Sequence, residues 1–284
     1  MDIRKPLTTV KMRKMKQDGI PITFITAYDY PSAKLSEEAG IDAILVGDSL
    51  GNVVLGYDTT LPVTLGDMIY HTKAVTRAAS STFVVTDMPF MTYHGSIDAT
   101  LANVGRIMQE GLAHAVKMEG GKEITATVEA CIKAGVPVMG HIGLTPQSVH
   151  QIGGYLIQGK SSKQADELLE AAIALEQAGV FAIVLELVTE EVAAYISQNL
   201  SIPTIGIGAS ASCDGQVLVY HDLLQYGSPA VPKKFVKSYA AIGDTIRASI
   251  GQYVEEVKSR QFPQPEHVFK ADAELLGHLY GNNS

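Results

Sequence analysis

Cysteine is scarce in this sequence. Its 284 residues include two cysteines, Cys131 and Cys213. Two isolated cysteines offer neither the paired spacing of a zinc site nor a disulfide framework. A reduced, cytoplasmic compartment is therefore the expected location.

Long apolar runs and clustered basic charge are missing as well. No run approaches the ~18 apolar residues of a transmembrane helix, and the N-terminus lacks a signal-peptide core. Lys and Arg number 22 against 30 Asp and Glu, for a formal net charge of −8. Nucleic acids and anionic membranes are bound by clustered positive charge, so neither is an expected partner.

What the chain does contain is a repeated alternation of short apolar runs with helical patterns. Ala39-Gly40-Ile41, Ala134-Gly135-Val136 and Ala178-Gly179-Val180 each mark the passage from a helix into a strand, because glycine supplies the left-handed helix end. About eight such βα units indicate an α/β fold with a parallel sheet. An amphipathic helix within residues 1–19 and a long helix over residues 240–257 are expected to flank these units.

Two architectures fit that alternation. An open doubly wound sheet would concentrate its ligand near one switch point, whereas here polar side chains follow nearly every predicted strand. We therefore predict a closed (β/α)8 TIM barrel formed as a single domain by residues 1–284, a length typical of that fold. The basic residues before residue 20 are then better explained by a helix lying across the barrel floor than by a site for an anionic ligand.

The fourth predicted strand carries charge where apolar side chains are expected. Lys117 and Glu119 are two residues apart in the run from His114 to Gly121, so a strand would point both to the same face. A buried ion pair and a ligand-binding pair are equally good interpretations of this spacing alone.

Three further predicted strands end in an acid, at Asp48, Asp87 and Glu186, which favours the second interpretation. Asp48, Asp87 and Glu119 would follow neighbouring strands two, three and four, at the end of the barrel that carries active sites. Each acid alone is better explained as a helix N-cap. Together they predict a site for Mg²⁺, which prefers oxygen ligands.

Two more polar residues fall at the ends of strands five and six. Glu186 would lie across the barrel mouth from the three acids, where it is placed to act as a general base. His141 is either a polar contact of the same site or a hydrogen-bonded core histidine. His71, in the second barrel helix, is expected on the helix surface.

Several motifs together resemble the ketopantoate hydroxymethyltransferase family, and the resemblance covers nearly the whole chain. The matching segments include Thr26-Ala-Tyr-Asp-Tyr-Pro-Ser-Ala33, Val46-Gly-Asp-Ser-Leu-Gly51, Asp87-Met-Pro-Phe90, Val116-Lys-Met-Glu-Gly120 and Met139-Gly-His-Ile-Gly-Leu-Thr-Pro-Gln147. The chain departs from the family pattern at Ala209-Ser210-Ala211 and at Gln225, where the family commonly has glycine.

The resemblance implies a fold, a reaction and a set of roles. The fold is a barrel of the phosphoenolpyruvate/pyruvate-type superfamily. The reaction transfers a hydroxymethyl group from 5,10-methylenetetrahydrofolate to 3-methyl-2-oxobutanoate, through a Mg²⁺-stabilised enolate, in pantothenate biosynthesis. A homo-oligomer, often a decamer, is implied as well. The implied metal ligands are Asp48, Asp87 and Glu119, the implied contacts of the oxo acid are Asp48, Ser49, Asp87 and Lys117, and the implied proton acceptor is Glu186.

Two rival functions remain open at this point. One is a Mg²⁺-dependent phosphonomutase or carbon–carbon lyase of the same superfamily, which would be favoured by a reactive-cysteine motif or several phosphate-binding arginines. The other is an inactive barrel that serves as a scaffold. The intact set of acids with Lys117 argues against the scaffold.

Overall fold

Eight parallel strands close into one barrel. The structure is a computed structural model that describes residues 7–227 and 233–281. The strands pair in sequence order, and the last pairs with the first. Their bounds are β1 Ile22–Thr26, β2 Ala43–Val46, β3 Phe83–Asp87, β4 Ala115–Glu119, β5 Val138–Gly143, β6 Ala182–Glu186, β7 Thr204–Ile207 and β8 Gly215–Leu218. The predicted (β/α)8 barrel is confirmed.

Helices surround the barrel and extend the chain at both ends. They are α1 Thr9–Gln17, α2 Tyr30–Glu38, α3 Leu50–Val53, α4 Leu65–Ala78, α5 Ile97–Gly111, α6 Thr125–Lys133, α7 Val149–Ile152, α8 Ser162–Ala178, α9 Glu190–Asn199, α10 Tyr220–Leu224, α11 Ile242–Lys258 and α12 Ala273–Tyr280. Within the described ranges, none of them combines the length and the apolar character needed to cross a membrane.

The helix starts follow local sequence signals. Serine is a favoured N-cap residue, so the sequence predicts helix starts at Ser96 and Ser161, and each accepts a hydrogen bond from the backbone N–H three residues on. Gln164 completes the start of α8 by accepting from the backbone N–H of Lys160. These side chains satisfy donors that the first helical turn leaves without a partner.

Helix α1 closes the barrel floor, as the sequence predicts. Met12 is fully buried in a cluster with strand residues such as Phe24, Leu45 and Val217. Lys16 donates to the backbone oxygen of Ser197 and to Asp214, both at 2.8 Å. Lys5, part of the same basic segment, lies outside the described residues.

Two local expectations were wrong, and one departure from the family pattern is explained. The apolar run Gln216-Val-Leu-Val-Tyr220 predicts an eighth strand to Tyr220, but β8 ends at Leu218 and Tyr220 begins α10. His71 is half-buried and not a surface residue, because its Nδ1 lies 2.5 Å from the backbone oxygen of Tyr28. Gln225 has φ +48°, a left-handed conformation that favours the glycine common in the family.

Candidate active site

A cavity of about 630 Å³ opens at the carboxyl ends of the strands. Every polar side chain predicted from the strand ends lines it, namely Asp48, Ser49, Asp87, Lys117, Glu119, His141 and Glu186. The convergence follows from strand alternation: Lys117 and Glu119 share the inward face of β4 with Ala115, which belongs to the barrel interior.

Lys117 forms a buried ion pair inside this cavity, so the two interpretations of its position are compatible. Its Nζ lies 3.1 Å from Asp87 Oδ1, and both side chains are 4% exposed. The same Nζ lies 3.0 Å from Nδ1 of His141. Burial lowers the pKa of Lys117, but the carboxylates of Asp87, Glu119 and Asp48 outweigh burial and raise it. Lys117 is therefore a permanent cation within the cavity.

The three acids share one pattern of hydrogen bonding. Each has one oxygen held by an N–H donor: Asp48 Oδ2 by the Gln147 amide at 2.8 Å, Asp87 Oδ2 by the Asp48 backbone at 3.0 Å, and Glu119 Oε2 by the Gln147 backbone at 3.0 Å. The helix-cap explanation of these acids is wrong, because Ser49, Ser96 and Gly121 occupy the cap positions that follow them.

The acids crowd negative charge into a buried space. Burial raises the pKa of Asp48 well above its usual range, and the neighbouring Asp87 and Glu119 raise it further. Burial also raises the pKa of Asp87, against the opposing effect of Lys117. In Glu119, His141 and Lys117 outweigh burial and lower the pKa. The site is therefore short of positive charge.

Oxygen donors with excess negative charge fit Mg²⁺. Asp87 Oδ1 is buried and close to Lys117 but accepts no aligned hydrogen bond, which leaves it a lone pair for a ligand. In residues 7–227 and 233–281, no three His, Cys, Asp or Glu side chains already converge on a single metal position. Mg²⁺ commonly takes one or two protein carboxylates and completes its shell with water and substrate oxygens, so a pair such as Asp48 and Asp87 fits it.

His141 lines the site, and it is also a buried histidine with a hydrogen-bond partner, because its Nδ1 lies 3.0 Å from Lys117 Nζ. Its Nδ1 lies 3.4 Å from Glu119 and its Nε2 lies 3.3 Å from Glu186, without good hydrogen-bond alignment at Nε2. Burial and the charge of Lys117 lower the pKa of His141, but the two glutamates outweigh them and raise it to about 9.

Glu186 faces the acids from the end of β6. Its side chain is 17% exposed, and Val184 and Leu187 line the cavity beside it. The backbone of β5 approaches it closely: Leu144 N–H donates to Glu186 O at 2.8 Å, and a Cβ on Gly143 would lie 2.3 Å from that oxygen. Glycine at position 143, with φ +93°, permits this contact.

Three site residues were assigned no role from sequence. Tyr28 OH lies 2.9 Å from Ser49 Oγ. Gln147 and Tyr93 are buried beneath the acids and hydrogen-bond to each other at 2.8 Å. All three are neutral and lie in loops, so no charge pattern or strand alternation marks them. Tyr28 and Gln147 lie in motifs shared with a known family, and this is the one feature of the sequence that points to a role for them in the site.

The outer part of the cavity is formed by two loops. Residues 148–160 are rich in Gly and Gln, which predicts a loop over the mouth; the segment contains α7 and contributes Tyr155. Lys233, Lys234 and Phe235 line the cavity as well. The inner part of the cavity is thus charged, and its entrance carries aromatic and basic side chains.

Comparisons with solved structures agree with the barrel. The chain resembles a phosphoenolpyruvate phosphomutase from Streptomyces platensis subsp. rosaceus with a TM-score of 0.60 at 15% identity, covering 97% of this chain and 96% of that one. It resembles a phosphonopyruvate hydrolase, solved in complex with oxalate and Mg²⁺, with a TM-score of 0.54 at 16% identity, covering 97% and 95%. At these identities the likeness shows the fold alone.

Comparisons of sequence are more specific. The family model described as ketopantoate hydroxymethyltransferase matches residues 6–265. A Bacillus cereus protein named 3-methyl-2-oxobutanoate hydroxymethyltransferase is 57% identical over 274 residues, covering 96% of this chain and 98% of the relative. A Geobacillus kaustophilus protein of the same name is 58% identical over 267 residues, covering 94% and 95%. This chain belongs to the ketopantoate hydroxymethyltransferase family.

Proposed function

We propose that this enzyme transfers a hydroxymethyl group from 5,10-methylenetetrahydrofolate to 3-methyl-2-oxobutanoate in the cytoplasm, which gives 2-dehydropantoate for pantothenate and coenzyme A biosynthesis. The observation that carries the proposal is the shared cavity. Lys117 and the acid cluster lie on one side of it and Glu186 on the other, in a chain 57% identical to relatives that bear the name of this activity.

Mg²⁺ is the proposed cofactor, held by Asp48 and Asp87 with Glu119 beside them. When bound, it supplies Lewis-acid polarisation of the ketone of the oxo acid. The uncompensated negative charge at these acids supports this assignment, as does the fold shared with a hydrolase solved with oxalate and Mg²⁺.

The remaining residues bind the oxo acid and move its proton. Lys117 and Ser49 both donate to the substrate carboxylate. The Tyr28 hydroxyl holds the Ser49 hydroxyl in place. Glu186 accepts the proton from C3, and His141 lies where it orients the Glu186 carboxylate. The resulting enolate carbon then bonds to the one-carbon unit of folate as the carbon–nitrogen bonds of that unit break; water supplies the hydroxyl oxygen, and tetrahydrofolate leaves through the outer part of the cavity.

We further propose that residues 1–284 act as one domain within a homo-oligomer, a decamer. Apolar side chains on the C-terminal helices support this assembly, because they stand exposed on the single chain. On α11 they are Ile250, Tyr253, Val254 and Val257, and on α12 they are Leu275, Leu276, Leu279 and Tyr280.

Product analysis tests the proposed reaction. The purified enzyme is incubated with Mg²⁺, 3-methyl-2-oxobutanoate and methylenetetrahydrofolate, and the products are identified by NMR and mass spectrometry. We expect an oxo acid enlarged by one hydroxymethyl group. Cleavage of 2-alkylmalates or rearrangement of phosphonopyruvate instead would establish one of the superfamily rivals, and no turnover of any of these compounds would favour a scaffold.

A further inference from the structure

Gln147 contacts two of the three acids in the site. It follows β5 in a short helical turn, Pro146–Ser148, and is 4% exposed. Its side-chain Nε2 donates to Asp48 Oδ2 at 2.8 Å and to Met88 O at 2.9 Å. Its backbone N–H donates to Glu119 Oε2 at 3.0 Å. Gln147 therefore supplies two of the three N–H groups that anchor the acid cluster.

Tyr93 fixes the orientation of the Gln147 amide. Tyr93 is fully buried, and its hydroxyl accepts from the Glu119 backbone N–H at 3.1 Å. The hydroxyl hydrogen faces two acceptors, Gln147 Oε1 at 2.8 Å and the Glu119 backbone oxygen at 3.1 Å, and Gln147 is the nearer. The reversed amide would place its oxygen against Asp48 Oδ2 and Met88 O, two acceptors, so this network admits a single orientation.

The hydrogen bonds divide the acid oxygens into two groups. The inner oxygens, Asp48 Oδ2 and Glu119 Oε2, are occupied by Gln147. The outer oxygen of Glu119 lies 3.4 Å from His141 Nδ1, and the Gln147 amide on Oδ2 leaves Oδ1 as the other oxygen of Asp48. Gln147 thus determines which oxygen of each acid turns toward the cavity.

We propose that Gln147 and Tyr93 are positioning residues that hold Asp48 and Glu119 with one oxygen of each available to a divalent cation. The pair connects the loops that follow β2, β3, β4 and β5, so it also fixes these loops relative to one another. The proposal rests on the proposed function, because it takes Asp48 and Glu119 as neighbours of the cation. Residues that hydrogen-bond to metal ligands typically change metal affinity by about 10- to 100-fold when removed.

Two nearly isosteric substitutions test the pair. Gln147→Met keeps the backbone N–H and removes the side-chain donors, and Tyr93→Phe removes one hydroxyl. Matched controls are Gln198→Met and Tyr195→Phe, both on the exposed face of α9. Each purified variant is checked by circular dichroism and melting temperature, and Mn²⁺ binding without substrate is measured by electron paramagnetic resonance.

We expect Gln147→Met to weaken Mn²⁺ binding by about 10-fold or more and Tyr93→Phe by a smaller factor, with both controls unchanged. Since Tyr93 acts through Gln147, the double variant should bind Mn²⁺ as the Gln147 single variant does and not show the product of the two losses. The KM for the oxo acid should rise along with the Mn²⁺ dissociation constant, whereas kcat at saturating Mg²⁺ should change less.

The outcomes separate this inference from the proposed function. If the native enzyme binds Mn²⁺ and turns over but Gln147→Met and Tyr93→Phe bind it equally well, the positioning role is wrong and the function stands. If the native enzyme binds no divalent cation, the proposed function itself fails. Should Gln147→Met not fold, Tyr93→Phe and its control decide the result. Tyr93→Phe removes only the hydroxyl that orients the Gln147 amide, and both acids can keep their hydrogen bonds to Gln147.

Discussion

Glu186 Oε2 lies 3.3 Å from Nε2 of His141. Because the far nitrogen of that imidazole faces Lys117 and Glu119, the histidine links the proposed base to the charged cluster on the other side of the cavity. The Glu186 carboxylate therefore lies beside the residues that we propose to bind the oxo acid.

Glu186→Gln should abolish proton transfer while sparing binding. In D₂O with Mg²⁺, the native enzyme should exchange the C3 proton of 3-methyl-2-oxobutanoate. The variant should exchange it at least ~100-fold more slowly, the usual lower contribution of a positioned base. Proton NMR follows the exchange, and Glu190→Gln, an exposed glutamate at the start of α9, serves as the control. Equal exchange rates for the native enzyme and Glu186→Gln would identify another base, with His141 the next candidate.

Removal of divalent cations should stop turnover. After exhaustive chelation we expect no hydroxymethyl transfer, and added Mg²⁺ should restore it. Asp48→Asn and Asp87→Asn should lose Mn²⁺ binding measured by calorimetry, whereas Asp98→Asn, an exposed residue in the first turn of α5, should not. Full turnover by the enzyme depleted of divalent cations, or by the Asp48→Asn/Asp87→Asn double variant, would contradict the assignment of these acids.

Lys117→Ala should weaken binding of the oxo acid selectively. Loss of a charge-assisted contact costs about 1.5–3 kcal/mol, which corresponds to about 10- to 150-fold in affinity. We expect the KM for the oxo acid to rise by that factor while the KM for methylenetetrahydrofolate stays nearly constant. Lys122→Ala, an exposed neighbour on the same segment, is the control. An unchanged KM for the oxo acid would leave Lys117 with a purely structural ion pair to Asp87.

Gly143→Ala should destabilise the barrel more than Gly135→Ala. Both glycines have φ near +90°, and an alanine in this region costs about 1–2 kcal/mol. A Cβ at Gly135 meets no atom within 4 Å, whereas one at Gly143 lies 2.3 Å from Glu186 O. Urea unfolding should therefore show the larger loss for Gly143→Ala. Equal losses of unfolding free energy in the two variants would mean that β5 and β6 can move apart at Gly143 without loss of stability.

Sequence alone predicts the strand ends of this site well. Strand alternation places Lys117 and Glu119 on one face, and the common direction of parallel strands gathers their ends at one mouth. It does not predict Gln147, whose contact with Asp48 spans 99 residues, or Tyr93, which meets Gln147 across 54. The sequence likewise does not predict the contact of His71 with Tyr28, because a contact with a loop carbonyl 43 residues away produces no periodic pattern in the sequence.

The helix that closes the barrel floor also bears on the order in which the substrates can enter. Met12 is buried at the bottom of the barrel and Lys16 is bound to Asp214, so the expected route into the cavity is the mouth at the other end. Under the proposed function a small acid binds at Lys117, in the cavity that Tyr155 and Phe235 also line, and the bulkier folate enters after it. The small acid is therefore expected to bind first and its enlarged product to depart last, so steady-state kinetics should show an ordered sequence with folate as the second substrate.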